Sequence, residues 1–338
     1  MTTKVASRSL VQLACAALIA GGLAACGGGG GGGGAVSQPE SASPTLVITA
    51  ANSDTVGHFT AVAALSLPIS WLSETSVSLT GGNALGAPTG GRFALLTLRD
   101  RLTQAGTGRS HALDALESGD LPCNFGGTMS VTLDDRDNNL VESPGDVETA
   151  QFKGCMPAAN ETYDGTWRLV VVSTSIDAPM YDSTVQLSYT TPKHTLKFDG
   201  SYEATSDSMY RTTVTVKGSM SVTVATHAGY ADTVTFADGF VVVDQIDYGA
   251  ARNVLTVAGR VASASAGGSV DLSTPNELVT SRNGYAGGYP ETGTVKAQGK
   301  VGALSVRAVS SASVCLDTDD NDDGHVESTS TQSWDWLL

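Results

Sequence analysis

From Gly126 onward, apolar and polar residues alternate with a period of two. Thr128–Leu133, Thr184–Tyr189, Thr213–Val216, Ser221–Val224 and Thr233–Phe236 each put apolar side chains on one side and Ser or Thr on the other. This pattern predicts antiparallel strands with one packed face and one wet face. Leu169–Val172 and Phe240–Val243 are apolar at every position, which predicts strands well inside the sheet. Six glycines, Gly127, Gly165, Gly200, Gly218, Gly259 and Gly293, each precede a polar residue and open a strand-like run. Their spacing is too irregular for a strict solenoid or propeller. Glycine at these places is expected to relieve a turn or bulge at the strand start.

The part before Gly126 reads differently. Thr45–Thr49 predicts a short strand. Asn52 or Asp54 then offers a helix N-cap, and Val56, Phe59, Val62, Ala63 and Leu65 keep helical spacing up to Pro68. Phe93, Leu95, Leu96, Leu98 and Leu102 predict a second helix. The expected fold is therefore mainly β: a large antiparallel curved sheet or barrel with one or two short N-terminal helices. It forms a single domain over residues 45–338, with a helical part at 45–120 and the sheet at 121–338. Trp334 and Trp336 are expected on one face of a terminal strand, both in the core.

Composition narrows the function classes. The chain has 338 residues and a formal charge of −15, from 19 Lys and Arg against 34 Asp and Glu. Phosphate recognition needs clustered cations, so no nucleic-acid partner is expected. With 41% apolar residues the chain has enough to bury a core. Aromatic residues, at 6%, are too few for the girdles of a transmembrane barrel.

The amino terminus reads as an export signal over residues 1–25. Lys4 and Arg8 precede the apolar stretch Leu10–Ala20, which is too short to span a bilayer. The signal runs into Leu23-Ala24-Ala25-Cys26. This tetrad resembles a bacterial lipobox, in which the residue matching Cys26 takes a diacylglyceryl group and becomes the mature amino terminus. Gly27, where the lipoprotein sorting rule places Asp for retention, implies the outer membrane. Gly27–Gly34 and the small, polar and proline residues up to Pro44 cannot offset their ordering entropy by burial. Residues 26–44 thus read as a flexible tether with an r.m.s. reach of roughly 25 Å.

Export implies an oxidising compartment. With Cys26 acylated, Cys123, Cys155 and Cys315 remain. Cys123 and Cys155 bracket one compact segment and are expected to pair, stabilising the fold by roughly 3–4 kcal/mol in the chain-entropy account. Cys315 is then expected as a buried small residue.

Two acidic loops have oxygen ligands at spacings that suit Ca2+. In the first, Asp319, Asn321 and Asp323 alternate before the turn glycine Gly324, with Glu327 at the ninth position. Ser330 stands where a bidentate Glu is expected. In the weaker second, Asp135, Asp137 and Asn139 are followed by Asp146 at the twelfth position. There Leu140 replaces the turn glycine and Arg136 opposes a cation. A solvated Asx-rich turn explains each loop as an alternative.

No familiar catalytic motif is present: no Gly-x-Ser-x-Gly, Ser-x-x-Lys, His-Glu-x-x-His or Cys-x-x-Cys. Taken together, the lipobox and glycine run, Cys123-Asn124-Phe125-Gly126-Gly127, the turn ending Gly145-Asp146, Phe152–Cys155, and the tail from Tyr289-Pro290 to Trp334 resemble a loosely defined group of uncharacterised proteobacterial outer-membrane lipoproteins. The resemblance implies a β-rich, periplasmic or surface-associated domain and carries no activity. The expectation is a lipid-anchored, non-catalytic binding or structural module of the envelope, with an envelope protein, a glycan or a lipid as partner. The alternatives are a carrier of an apolar ligand within a curved sheet and a hydrolase using carboxylates from distant strands.

Overall fold

The period-two alternation becomes strand almost wherever it occurs. The structure, a computed structural model, describes residues 43–67, 116–123, 125–139, 142–156, 159–175, 178–208, 211–226, 229–247, 249–281 and 289–337. The expected export signal, Cys26, the expected tether up to Ala42 and the helix expected around Phe93–Leu102 lie outside the described residues. Helix α1 (Ser53–Leu65) is followed by β1 (Leu116–Pro122), β2 (Thr128–Asp134), β3 (Val147–Cys155), β4 (Thr162–Ser173), β5 (Met180–Thr190), β6 (His194–Ser208), β7 (Arg211–Thr226) and β8 (Ala231–Ala237). Then come β9 (Val241–Asp247), β10 (Arg252–Ser263), β11 (Gly268–Ser281), β12 (Thr292–Gln298), β13 (Ala303–Ser310), β14 (Ser313–Asp319), β15 (Ser328–Ser333) and one helical turn, α2 (Trp334–Leu337).

The strands form one antiparallel meander in chain order. The departure is at β8 and β9, which lie end to end in a single lane between β7 and β10. β7 pairs with β8 through Ser219–Ala225 and with β9 through Arg211–Thr215. The break falls at Asp238 and Gly239, where Gly218 N–H donates to Asp238 Oδ1 at 2.8 Å and Val216 N–H to the Phe240 carbonyl at 2.8 Å. The two runs Thr213–Val216 and Ser221–Val224, expected as separate strands, are thus halves of β7.

Burial follows the alternation. In β5, Tyr181, Ser183, Val185 and Leu187 point inward, and Asp182, Thr184, Gln186 and Ser188 point outward. Outward hydroxyls pair across strands, as Thr223 with Thr233 at 3.0 Å and Thr184 with Ser201 at 3.3 Å. The outward face also carries the bidentate Arg260–Asp271 pair, at 2.8 and 2.9 Å. This is a water-facing surface, unlike the apolar band of a transmembrane barrel. Among the described residues, no helix is long and apolar enough to cross a membrane. Leu169–Val172 and Val241–Val243 do lie in strands paired on both sides, yet the outward Val172 is 40% exposed.

Ten consecutive residues of α1, Val56 to Leu65, are buried. A helix covered all round must be enclosed rather than laid on a surface. Its neighbours are β8, β10, β12, β13, β14 and α2, so the sheet curls about it. The His58 ring shows how far. It stacks on Tyr230, just before β8, at 4.2 Å, and meets Trp336, after β15, also at 4.2 Å. Asp335 in α2 reaches Lys193, in the β5–β6 turn, at 2.7 Å. Thr45–Ile48 runs past the starts of β11 and β13: Leu46 N–H donates to the Ser269 carbonyl at 3.1 Å and Ile48 N–H to the Val301 carbonyl at 2.9 Å. Val47 makes a parallel bridge to Val301 in place of a full strand.

Two expectations need correcting. Trp334 and Trp336 are in a helical turn, not a strand; Trp334 is buried and Trp336 is 39% exposed. Trp334 Nε1 donates to the Pro290 and Ser310 carbonyls at 3.2 and 3.1 Å, contacts that a continued β15 would not supply. Also, most of the six motif glycines sit at irregularities within strands, not at strand openings. All have φ between +71° and +146°. Gly165, the fourth residue of β4 with φ +122°, lies beside the β3–β4 register shift, and a Cβ there would run into the Gln186 carbonyl. Gly218 has φ +72° but open space around it.

This contrast sets a test. Gly165→Ala is expected to lower the unfolding free energy by about 3 kcal/mol and Gly218→Ala by about 1 kcal/mol, because only the first adds a backbone collision to the left-handed strain. Urea titration of both variants measures the difference.

Candidate functional site

Both acidic loops close on themselves. The β2–β3 connection brings carboxylate oxygens of Asp135, Asp137 and Asp146 within 4.8 Å of one another, and the β14–β15 connection does the same for Asp319, Asp323 and Glu327. Six of the eight residues expected to bind a cation thus converge in two sets of three. The two asparagines are hydrogen-bonded within their loops. Asn139 donates from its backbone to Asp135 and Asp137 at 3.3 Å and from Nδ2 to Asp137 at 2.8 Å. Asn321 Oδ1 accepts the Asp323 N–H at 3.0 Å.

In the β14–β15 loop, Asp319 organises the backbone. It accepts N–H bonds from Asn321 at 3.4 Å, Asp323 at 3.2 Å and Gly324 at 2.9 Å. Desolvation raises its pKa, but the N–H donors of Gly324, Asp322, Asn321 and Asp323 outweigh that and hold it below the ordinary carboxylate value. Asp323 accepts from His325 N–H at 2.8 Å, and Glu327 reaches back to Asp320 N–H at 2.7 Å. Asp322 takes φ +61° and Gly324 φ +86°, which turns the chain so that Asp319, Asp323 and Glu327 face one point. In the β2–β3 loop the buried Asp146 accepts the Arg136 N–H at 3.1 Å and both the N–H and hydroxyl of Ser143. The Arg136 side chain turns to Asp134 at 3.9 Å. Ser143 also binds Asp137 at 2.9 Å. The Asx spacing drew attention to the acids and away from this serine.

Strand direction separates the two loops. β2 and β14 lie an odd number of antiparallel steps apart, so the loops that follow them emerge at opposite ends of the sheet. They are two local sites and not one shared centre.

The Cys123–Cys155 disulfide is present, with a Cα–Cα distance of 5.4 Å. It ties the entrance of β2 to the end of β3, at the opposite end of that hairpin from the β2–β3 acidic loop. Cys315 is free and half-buried on the outward side, its thiol 3.4 Å from Thr331 Oγ1. It is therefore not the fully buried residue expected.

Two polar groups of the interior carried no sequence motif. One is centred on Asp232, which accepts from Ser263 Oγ at 2.6 Å, Tyr230 Oη at 3.1 Å, Thr233 N–H at 2.7 Å and Ser265 N–H at 2.9 Å. Burial and the neighbouring Asp232 push the Tyr230 phenol well above its usual range. His58 stacks on this tyrosine, and its Nδ1–H donates to the Leu337 carbonyl at 3.1 Å. The second group is Trp167, Ser183 and Tyr202, on the inward face of β4, β5 and β6. Trp167 Nε1, Ser183 Oγ and Tyr202 Oη are buried and have no hydrogen-bond partner among the described residues. Burial pushes the Tyr202 phenol up to about 12, and loose hydrogen bonding from Ser183 and Trp167, short of well-formed geometry, opposes the shift. One signal was legible: Ser183 occupies an inward phase shared with Val185 and Leu187.

Compared with known protein families, curated proteins and solved structures, the chain matches none.

Burial lowers the His58 pKa, against the raising effects of the Leu337 carbonyl, Asp54 and Asp232. The folded state therefore resists a proton that the unfolded chain takes up near pH 6.5. Stability is full above that pH and falls as the pH drops from it toward the lowered folded value. Thermal unfolding of the wild type and His58→Asn, which keeps an N–H donor for Leu337, is expected to show a smaller stability loss for the variant as the pH falls below 6.5.

Proposed function

We propose that the chain is a lipid-anchored lipoprotein of the bacterial outer membrane, whose β body is a non-catalytic binding or structural module presented on a glycine tether. The observation that carries this reading is the lipobox Leu23-Ala24-Ala25-Cys26 followed by the glycine run. The Cys123–Cys155 disulfide supports it, because such bonds persist in exported proteins. The hydroxyl-rich outward face suits a body held in water beside the membrane. Several acyl chains on Cys26, at roughly 0.8 kcal/mol per buried methylene, give lasting attachment. The partner is an envelope protein, a glycan or a lipid.

Labelled palmitate is expected to enter the wild type and not Cys26→Ala, and the variant is expected in the soluble fraction. An unlabelled wild type, or a variant that stays with the membrane, overturns the reading. Turnover in a broad glycosidase and esterase screen replaces the non-catalytic assignment.

The proposal includes calcium as a stabilising ion. Its support is the convergence of three carboxylates in each acidic loop. Oxygen-rich sites of this kind bind Ca2+ with backbone carbonyls and water completing the shell, and weak sites suffice outside the cytoplasm. At about a hundredfold excess over Kd, one site contributes about 2.7 kcal/mol, so added Ca2+ is expected to raise Tm by several degrees. Asp319→Asn with Glu327→Gln is expected to remove the share of the rise due to the β14–β15 loop; a Tm unmoved by Ca2+ in the wild type removes the ion from the proposal.

A further inference from the structure

Among the described residues, the inward face of β4–β6 contains three buried polar atoms without a well-formed hydrogen bond. Ser183 and Tyr202 are direct partners across β5 and β6. Trp167 pairs with Val185, and Ser183 with Leu169, which makes Trp167 and Ser183 diagonal neighbours on one face. Ser183 is 2% exposed and Tyr202 5%. Each of the three side chains carries a hydrogen to donate: an indole N–H and two hydroxyls. Ser183 and Trp167 approach the Tyr202 oxygen only loosely, and none of the three makes a well-formed hydrogen bond among the described residues. A buried donor left so costs about 1–3 kcal/mol, and three on adjacent strands mark a place that an added acceptor would suit.

The surroundings define that acceptor. Leu169, Val171 and Tyr181 form a small apolar cluster set apart from the main core, and Trp167 packs against both. The cations of these strands, Arg168 and Lys197, occupy exposed positions of the opposite phase. A carboxylate or phosphate would therefore be buried without a counter-charge, which is strongly unfavourable. A neutral carbonyl oxygen takes two or three such donors at no charge penalty, and an attached hydrocarbon chain suits the apolar neighbours.

We propose that Trp167, Ser183 and Tyr202 form a binding site for the carbonyl oxygen of a neutral acyl ester, its chain lying along the inward face of β4–β6. The site is independent of covalent acylation at Cys26, so it stands or falls separately from the membrane anchor.

The test uses the full chain carrying Cys26→Ala, so that no covalent acyl group enters the readout, and a cis-parinaroyl ester of glycerol as the probe. Saturable binding is expected from energy transfer between tryptophan and the polyene. Tyr202→Phe and Ser183→Ala are each expected to weaken it about tenfold. Ionised cis-parinaric acid is expected to bind at least about tenfold more weakly than the ester, because no cation meets it. In ligand-free chain Tyr202→Phe is expected to leave urea stability unchanged or raised, since its hydroxyl has only loose contacts with Ser183 and Trp167 to lose. Absence of saturable binding, binding indifferent to both substitutions, or acid bound as tightly as ester overturns the proposal. So does a marked loss of stability in Tyr202→Phe, which would show the hydroxyl already satisfied.

Discussion

The structure depends on enclosing α1. A helix with Val56 to Leu65 buried on every side has no solvent face of its own and must be surrounded. Fully covering side chains such as Phe59, Val62 and Leu65 contributes about 1.5–3 kcal/mol each. A flat meander offers one face to one side of a helix. Only a sheet that turns back on itself meets α1 with β8, β10, β12, β13, β14 and α2 together. The curl in turn sets the interior geometry, bringing Tyr230 and Trp336 onto the same imidazole.

Much of this was legible in the sequence. Strand existence and facing followed from period-two alternation, because burial on one face is what selects it. α1 was legible from its spacing. Of the two cap candidates, Asn52 and Asp54, the helix starts from Asn52, although its side chain binds the preceding segment, at Thr49 and Val47, and not the helix N–H groups. The lane shared by β8 and β9 was not legible. Asp238-Gly239 looks like any hairpin turn, and the long-range partners Val216 and Gly218 decide that the chain continues instead of reversing. The tryptophans of α2 were misassigned for a similar reason: Trp334 answers to the carbonyls of Pro290 and Ser310, distant positions that no local pattern records.

The acidic loops divide the same way. Alternating oxygen residues before Gly324 identified the β14–β15 loop, and the chain folds there as the spacing requires. Which oxygens turn inward was fixed by backbone N–H donors, which the sequence does not display. The Trp167–Ser183–Tyr202 group shows the reverse case. Each residue is ordinary alone, and only cross-strand register places them side by side. Ser183, a polar side chain in an apolar phase, was the one visible sign.

The next-neighbour order of the sheet has a consequence for how the chain is assembled. A polypeptide that emerges amino end first meets the partner of each strand immediately before or after it, so the sheet grows by successive short-range closures. The curl is different. α1 is made before every strand, yet Leu337 and Trp336, which cover His58, are made after all of them. The helix α1 therefore waits with one flank open until α2 has been made. During that interval the nascent chain exposes apolar side chains of α1 such as Phe59 and Val62, the period in which a holding chaperone has most to protect.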